Sequence, residues 1–229
     1  MSAIPRIPTL QPGDHLTVEE FERRYQAMPH LKKAELIEGV VYMPSPVTDD
    51  DHGGPHFDMI AWLSLYRTFT PGVQGGDNSS LRLPLGLNML QPDAYLRILP
   101  EYGGRARVGP DKYVHGAPDL LGEIAASSAS YDLHEKLQAY QRNGAREYVV
   151  WRTQDQAIDW FILRGGKFKR LVADANGILK SKALPGLWLD AQALVAHDMV
   201  KVHDVVNAGL ASEEHRSFVD KLRKRKLSG

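Results

Sequence analysis

The sequence predicts a mixed α/β domain, and three patterns in its 229 residues point there. Capped amphipathic helical stretches alternate with short β-rich runs. Gly, Pro and Asn turn signals separate those runs. One apolar run, 118–126, has the character of a buried strand interrupted by a single internal carboxylate, Glu123. Hydrophobic residues make up 43% of the chain and charged residues 24%, the proportions of a folded domain. The absence of cysteine excludes disulfides, thiolate zinc sites and thiol nucleophiles, and suits a reducing, cytoplasmic setting. No stretch approaches roughly 18 consecutive apolar residues, and the first fifteen residues lack the apolar stretch of a signal peptide. No membrane partner is expected.

The first sixteen residues, rich in Pro and polar groups, read as an arm. Thr17-Val18-Glu19-Glu20 is a capping-box signature, and Phe21, Tyr25 and Met28 follow at helical spacing, so 17–28 is predicted helical. Two β-rich runs flank Glu38-Gly39 and predict a hairpin closed by Pro44 and Pro46. Asp49 to Pro55 reads as an acidic, Gly-rich loop. A second helix is predicted over 56–69, with Phe57, Ile60, Ala61 and Ser64 on one face. Residues 81–83 and 94–98 read as strands separated by a turn near 85–88, and 100–117 is a long Gly- and Pro-rich excursion. After the 118–126 strand, Asp132 and Glu135 form another capping signature. Leu133, Leu137 and Tyr140 make an apolar stripe that Asn143-Gly144 ends. Strands follow at 147–152, 157–163 and 167–173, with Gly165-Gly166 as a hairpin turn. Residues 190–226 are predicted helical. The domains are thus an arm, 1–16; an α/β domain, 17–190; and a helical extension with a basic tail, 191–229.

Glu123 is the sharpest chemical clue, since a carboxylate among Leu120, Leu121, Ile124 and Ala125 must be paired, protonated or cation-bound if buried. Asp93, between Gln91-Pro92 and Ala94-Tyr95-Leu96, presents the same picture. Two carboxylates on neighbouring strands make a hard-oxygen site for Mg²⁺. Read alone, the pair fits a surface strand-start Asp and a salt-bridged Glu at least as well. Asp119 is four residues from Glu123, roughly 13 Å at about 3.3 Å per extended residue, too far to share one small cation. It reads as a strand-start or supporting group. Lys136 lies one turn into the following helix and could offset phosphoryl charge, although on spacing alone it is a solvated lysine paired with Asp132. His52 and His56 stand at i, i+4, but Gly53-Gly54-Pro55 separates them and the glutamate of a zinc-binding HExxH helix is missing. No GxGxxG, P-loop or GxSxG signature occurs.

Taken in order, Glu35-Leu36-Ile37-Glu38-Gly39, Gln91-Pro92-Asp93, Pro118-Asp119 with Glu123, Lys136-x-x-x-Tyr140 and Asn143-Gly144-Ala145-Arg146-Glu147-Tyr148 resemble the Uma family. That family is classed with restriction endonucleases in the PD-(D/E)XK nuclease superfamily and was formerly a domain of unknown function. The resemblance spans roughly 17–190. It implies a restriction-endonuclease-like α/β core, a central mixed sheet flanked by helices, with additional β-hairpins and the helical tail. It also implies a Mg²⁺- or Mn²⁺-dependent endonuclease hydrolysing DNA phosphodiesters. By position, Asp93 matches the aspartate of the PD element, Glu123 the second acid and Glu35 an early acidic residue, with the Ile124 carbonyl as a further metal ligand. Ala125 stands where the superfamily has lysine, and related sequences point to Lys136 as the substitute. One of His52 and His56 answers to the family's histidine after the Pro-rich segment, and the sequence leaves the choice open. That departure at Ala125 keeps a catalytically inactive nuclease-like module, binding nucleic acid or protein, as the alternative; a small-molecule or structural α/β domain is the third reading. Duplex cleavage would favour a homodimer.

Lys and Arg total 28, as do Asp and Glu, a zero net charge that excludes indiscriminate coating of nucleic acid. The zero hides an asymmetry. Arg216 to Lys226 holds six basic residues and one acid, leaving 22 basic against 27 acidic residues before Arg216. A basic tail could contact phosphates or be a solvated end.

Overall fold

The computed structural model describes residues 7–43, 48–126 and 133–228. Helix α1 (Val18–Gln26) starts at an extended Thr17 whose hydroxyl accepts the Glu20 N–H at 3.2 Å. The reciprocal half of the capping box does not form, because the Glu20 carboxylate turns to Arg23 and Arg24. Strands β1 (Glu35–Ile37) and β2 (Val40–Tyr42) make the predicted hairpin. Glu38 and Gly39 both take positive φ, 51° and 85°, the sense of turn that matches strand twist.

Two details of the next segment differ from the sequence reading. The acidic loop is a π-helical turn, Asp49–Gly53, that runs directly into α2 (Gly54–Phe69). The buried face of α2 is also the other one: Phe57 is 76% exposed, whereas Met59, Trp62, Leu63 and Tyr66 are buried. The large aromatics decide the side because their polar tips find partners there. Trp62 Nε1 donates to the Trp188 carbonyl and Tyr66 OH to the Pro185 carbonyl, both at 3.0 Å.

The main sheet runs in the order β12 (Lys167–Arg170), β11 (Ala157–Arg164), β10 (Glu147–Arg152), β9 (Leu120–Ala125), β6 (Ala94–Ile98), β3 (Val73–Gly76). Its β9–β10 pair is parallel and its other pairs antiparallel, so it is the mixed sheet expected. A parallel pair needs a crossover, which α3 (Glu135–Arg142) supplies between β9 and β10. The Asp132 cap predicted for α3 lies outside the described residues. The extra hairpins form a second sheet, β2-β1-β5-β4-β8-β7, with β5 (Asn88–Leu90), β4 (Leu81–Leu83), β8 (Val114–His115) and β7 (Arg107–Val108). Strand β5 is too short to show in the sequence pattern, and β7 and β8 lie inside the 100–117 excursion. A small ribbon, β13 (Ile178–Lys180) with β14 (Trp188–Asp190), precedes α4 (Ala191–Val195), α5 (Met199–Leu210) and α6 (Glu213–Ser228). No helix among the described residues is long and apolar enough to cross a membrane.

Strand alternation sends the two faces of the main sheet to different cores. Leu120, Ile124, Val149 and Trp151 join Met59, Trp62 and Tyr66 of α2, Val202 and Val206 of α5 and Leu222 of α6. Leu121, Ala125, Tyr148 and Val150 face the other way, against Ala139 and Tyr140 of α3 and Leu81 and Leu90 of the second sheet. Glu123 shares that second face with Leu121 and Ala125, so its carboxylate is held between the two sheets and α3.

Glu147 ties the β13–β14 ribbon to the sheet. Its buried carboxylate accepts from Ser181 Oγ at 2.7 Å, Lys182 N–H at 2.6 Å, Ala183 N–H at 2.9 Å and Trp160 Nε1–H at 3.2 Å. Glu147→Ala leaves these donors unpaired and should cost about 2 kcal/mol or more in urea unfolding. Burial pushes this carboxyl's pKa up, against those four hydrogen bonds. Its contribution to stability is therefore full below the unfolded value, about 4.3, and is lost as pH rises through the higher folded value. Urea midpoints measured from acid to neutral pH should lack that component in Glu147→Ala.

Candidate active site

Asp93 immediately precedes β6, and the antiparallel register that sets Ala94 against Gly122 brings it beside Glu123 of β9. The Ile124 N–H donates to Asp93 Oδ2 at 2.8 Å, which fixes the carboxylate against the next strand. Glu35 opens β1 and arrives from the second sheet, where its Oε1 accepts the Gln91 N–H at 2.7 Å. Lys136, on α3, closes the arrangement. Its Nζ lies 3.0 Å from Glu35 Oε2 and 3.1 Å from Glu123 Oε1. One helical turn on, Tyr140 donates its hydroxyl to the same Glu123 oxygen at 3.1 Å. All five side chains are buried.

The fold thus brings together Glu35, Asp93, Glu123 and Lys136, the four site residues proposed from sequence. Lys136 is not the solvated lysine that spacing alone suggested. Ala125, on the same face of β9 as Glu123, leaves room that α3 fills with Tyr140 and Lys136. Ile124 enters through its N–H. Asp119 stands apart, accepting the Ile98 N–H at 2.7 Å and pairing with Arg146 at 3.0 Å; burial raises its pKa, against those contacts and Arg105.

Lys33 escaped the sequence reading, and Tyr140, His52 and His56 gain their contacts here. Lys33 Nζ lies 2.9 Å from Asp93 Oδ1. Its signal was the i, i+2 spacing to Glu35, which puts both on one face of an extended entry to β1. In the sequence Tyr140 stood in an apolar stripe and in the Lys136-x-x-x-Tyr140 element of the resemblance. Both histidines reach Asp93: His52 Nε2 is 3.3 Å from Oδ2, and His56 Nε2 lies 2.7 Å from the backbone carbonyl, donating to it. His52 is carried there by the π-helical turn and His56 by α2.

Burial opposes ionisation of Asp93, but the His52 hydrogen bond and the charges of Lys33, His52 and Lys136 outweigh it and hold its pKa well below the usual carboxylate range. Burial likewise disfavours the Lys33 ammonium, and Asp93, Glu123 and Glu35 overcome that and raise its pKa. Burial, with the Glu123 charge beside it, drives the Tyr140 phenol up, so it stays protonated and donates. Three carboxylates, of Glu35, Asp93 and Glu123, thus lie beside two lysines, with His52 at Asp93, in a largely buried site.

The donor chemistry fits a hard divalent cation. Asp93 and Glu123 are all-oxygen donors, one or two carboxylates being what Mg²⁺ takes when water and phosphate complete its shell. Among the described residues, no group of three or more His, Asp or Glu side chains is placed to hold a metal ion. Lys33, partly exposed, is the group a cation at Asp93 Oδ1 would displace.

The profile of the Uma2 family, described as "Putative restriction endonuclease", matches residues 18–192. The chain belongs to the Uma2 family. No curated protein matches it. Among solved structures, a "putative nuclease belonging to DUF820 from Anabaena variabilis ATCC 29413" is similar in fold, with a TM-score of 0.54 at 14% identity. That match covers 79% of this chain and 99% of the other.

Removing Lys136 leaves two buried carboxylates without their shared cation. Lys136→Met should cost about 3 kcal/mol, measured by urea unfolding. In Glu123→Gln the same lysine change should cost less, giving a non-additive double-mutant cycle.

Proposed function

We propose that this Uma2 protein is a divalent-metal-dependent endonuclease that hydrolyses phosphodiester bonds in DNA. The observation that carries the reading is the convergence of Asp93 and Glu123 across adjacent strands, with Lys136 bridging Glu123 to Glu35. Asp93 and Glu123 would hold Mg²⁺ or Mn²⁺, with the Ile124 carbonyl as the additional ligand. When bound, such a cation polarises a phosphoryl oxygen and lowers the pKa of its water.

The chain's own groups divide the remaining work. Hydrolysis adds a water oxygen to phosphorus, breaks the P–O bond to the sugar and returns a proton to the departing oxygen. Lys136, already held between two carboxylates, orients the attacking water or offsets charge that grows on the phosphoryl oxygens. Glu35 fixes that ammonium and accepts from water. Tyr140, kept protonated, holds Glu123 in place. Lys33 and His52 form the partly exposed rim through which substrate would approach Asp93.

Plasmid cleavage with Mg²⁺ or Mn²⁺ tests this directly. Asp93→Asn and Glu123→Gln should each reduce the rate by about 100-fold or more, a loss on the scale of removing one electrostatic stabiliser. Chelation with EDTA should abolish cleavage by the wild type. Unchanged cleavage in both variants would overturn the site. DNA binding without metal uptake or cleavage would identify the chain instead as a nuclease-like binding module.

A further inference from the structure

The last helix, α6, carries a concentration of charge that the candidate site does not use. Five of the six residues from Lys221 to Lys226 are basic. A cation or two in the final turn answers the helix macrodipole, and this run exceeds that need. The rest of the protein has the opposite sign, with 27 acidic against 22 basic residues before Arg216. A body of that charge repels a polyanion, so a nucleic-acid substrate needs a local surface that offsets the repulsion.

The helix is fixed in place. His215, Val219 and Leu222 are buried on its inner side. His215 bridges the Thr70 hydroxyl and the Leu210 carbonyl, both at 3.0 Å. Near its end, Lys226 Nζ lies 3.1 Å from Tyr102 OH and 5.0 Å from the centre of that ring. Arg225 crosses Gly103 so closely that an added Cβ there would come within 2.9 Å of Arg225 Cδ. Lys221, Lys224 and Arg225 stand at i, i+3 and i+4, an outward face with no acidic partner among the described residues. Such a rigid row of cations is matched to a row of phosphates. An anionic membrane is a poorer partner, since Val219 and Leu222 are turned to the core and Leu227 alone is an exposed large apolar side chain on this helix.

We infer that α6 is a secondary docking surface for the phosphate backbone of duplex DNA, contacted through Lys221, Lys224 and Arg225. The inference rests on the DNA-cleaving reading above. Tyr102, which holds α6, lies just beyond β6 at the end opposite Asp93. That extended run spans about 20 Å, so the helix is a surface separate from the candidate site.

Fluorescence anisotropy on a labelled duplex, over a range of salt concentrations, tests it alongside plasmid cleavage. The variant Lys221→Gln/Lys224→Gln/Arg225→Gln changes only exposed side chains, and circular dichroism will show its helix content. Its affinity should fall about 10-fold or more near 0.1 M salt, with a salt slope shallower by about 2 to 3. The control Arg164→Gln/Lys167→Gln/Lys169→Gln, on the β11–β12 hairpin, removes the same charge and should change neither by more than about 2-fold. If wild type binds and cleaves and the α6 variant matches it, the α6 inference fails while the endonuclease reading stands. Equal loss in both variants would also overturn it, leaving only a net-charge effect. Wild type that neither binds nor cleaves DNA would overturn both. Binding of wild type to phosphatidylserine vesicles but not to the duplex would replace DNA with a membrane surface.

Discussion

The Lys136 ammonium, shared between Glu35 and Glu123, is the contact on which the arrangement of this molecule depends. It joins three elements far apart in the chain: β1 of the second sheet, β9 of the main sheet and the α3 crossover. Burying two carboxylates and a lysine is unfavourable unless each finds its partners. Here the Gln91 N–H, the Tyr140 hydroxyl and the lysine supply them. The network therefore sets where the second sheet sits against the first, since a shift of a few ångströms would strand a buried charge. A half-satisfied polar network is worse than an apolar core, so satisfaction here enforces one geometry.

The topology explains why the lysine comes from a helix. In a strand, residues two apart share a face, so a lysine at position 125 would project beside Glu123. Ala125 occupies that place, under Tyr140 and Ala139 in one cluster. Because β9 and β10 are parallel, the chain must cross over between them, and the crossover helix lies on that face. A lysine in its first turn then reaches the carboxylate from above. A one-residue change of register in β9 would instead send Glu123 into the core formed by α2 and α5.

Charge is divided in space. The buried interior between the sheets gathers the carboxyl groups of Glu35, Asp93 and Glu123 around Lys33 and Lys136, while the densest positive charge lies on a terminal helix at the far end of β6. The acids of the π-helical turn, exposed Asp49 and Asp50 and half-buried Asp51, add negative charge beside His52. The zero net charge of the sequence is the sum of these unlike regions and describes none of them.

The sequence by itself determined the α/β class and most helices and strands, through alternation, caps and turn glycines. Asp93 and Glu123 stood out as carboxylates beside apolar runs, whereas Glu35 and Lys136 were expected only from the family resemblance. The sequence missed β3, β5, β7, β8, β13 and β14, which at two to four residues are too short for periodicity to register, and β3 ends in two glycines that read as a turn. It chose the wrong face of α2, because Phe57 and Trp62 are both hydrophobic and only the carbonyl waiting for the indole N–H distinguishes them. Lys33 beside Asp93, and the contacts that Tyr140, His52 and His56 make with the carboxylates' residues, were decided by the tertiary structure alone. Each gains its role from a partner on another element, 17 to 60 residues away in the chain for Tyr140 and Lys33. Such pairings belong to the packing of sheet on sheet, which no local pattern encodes.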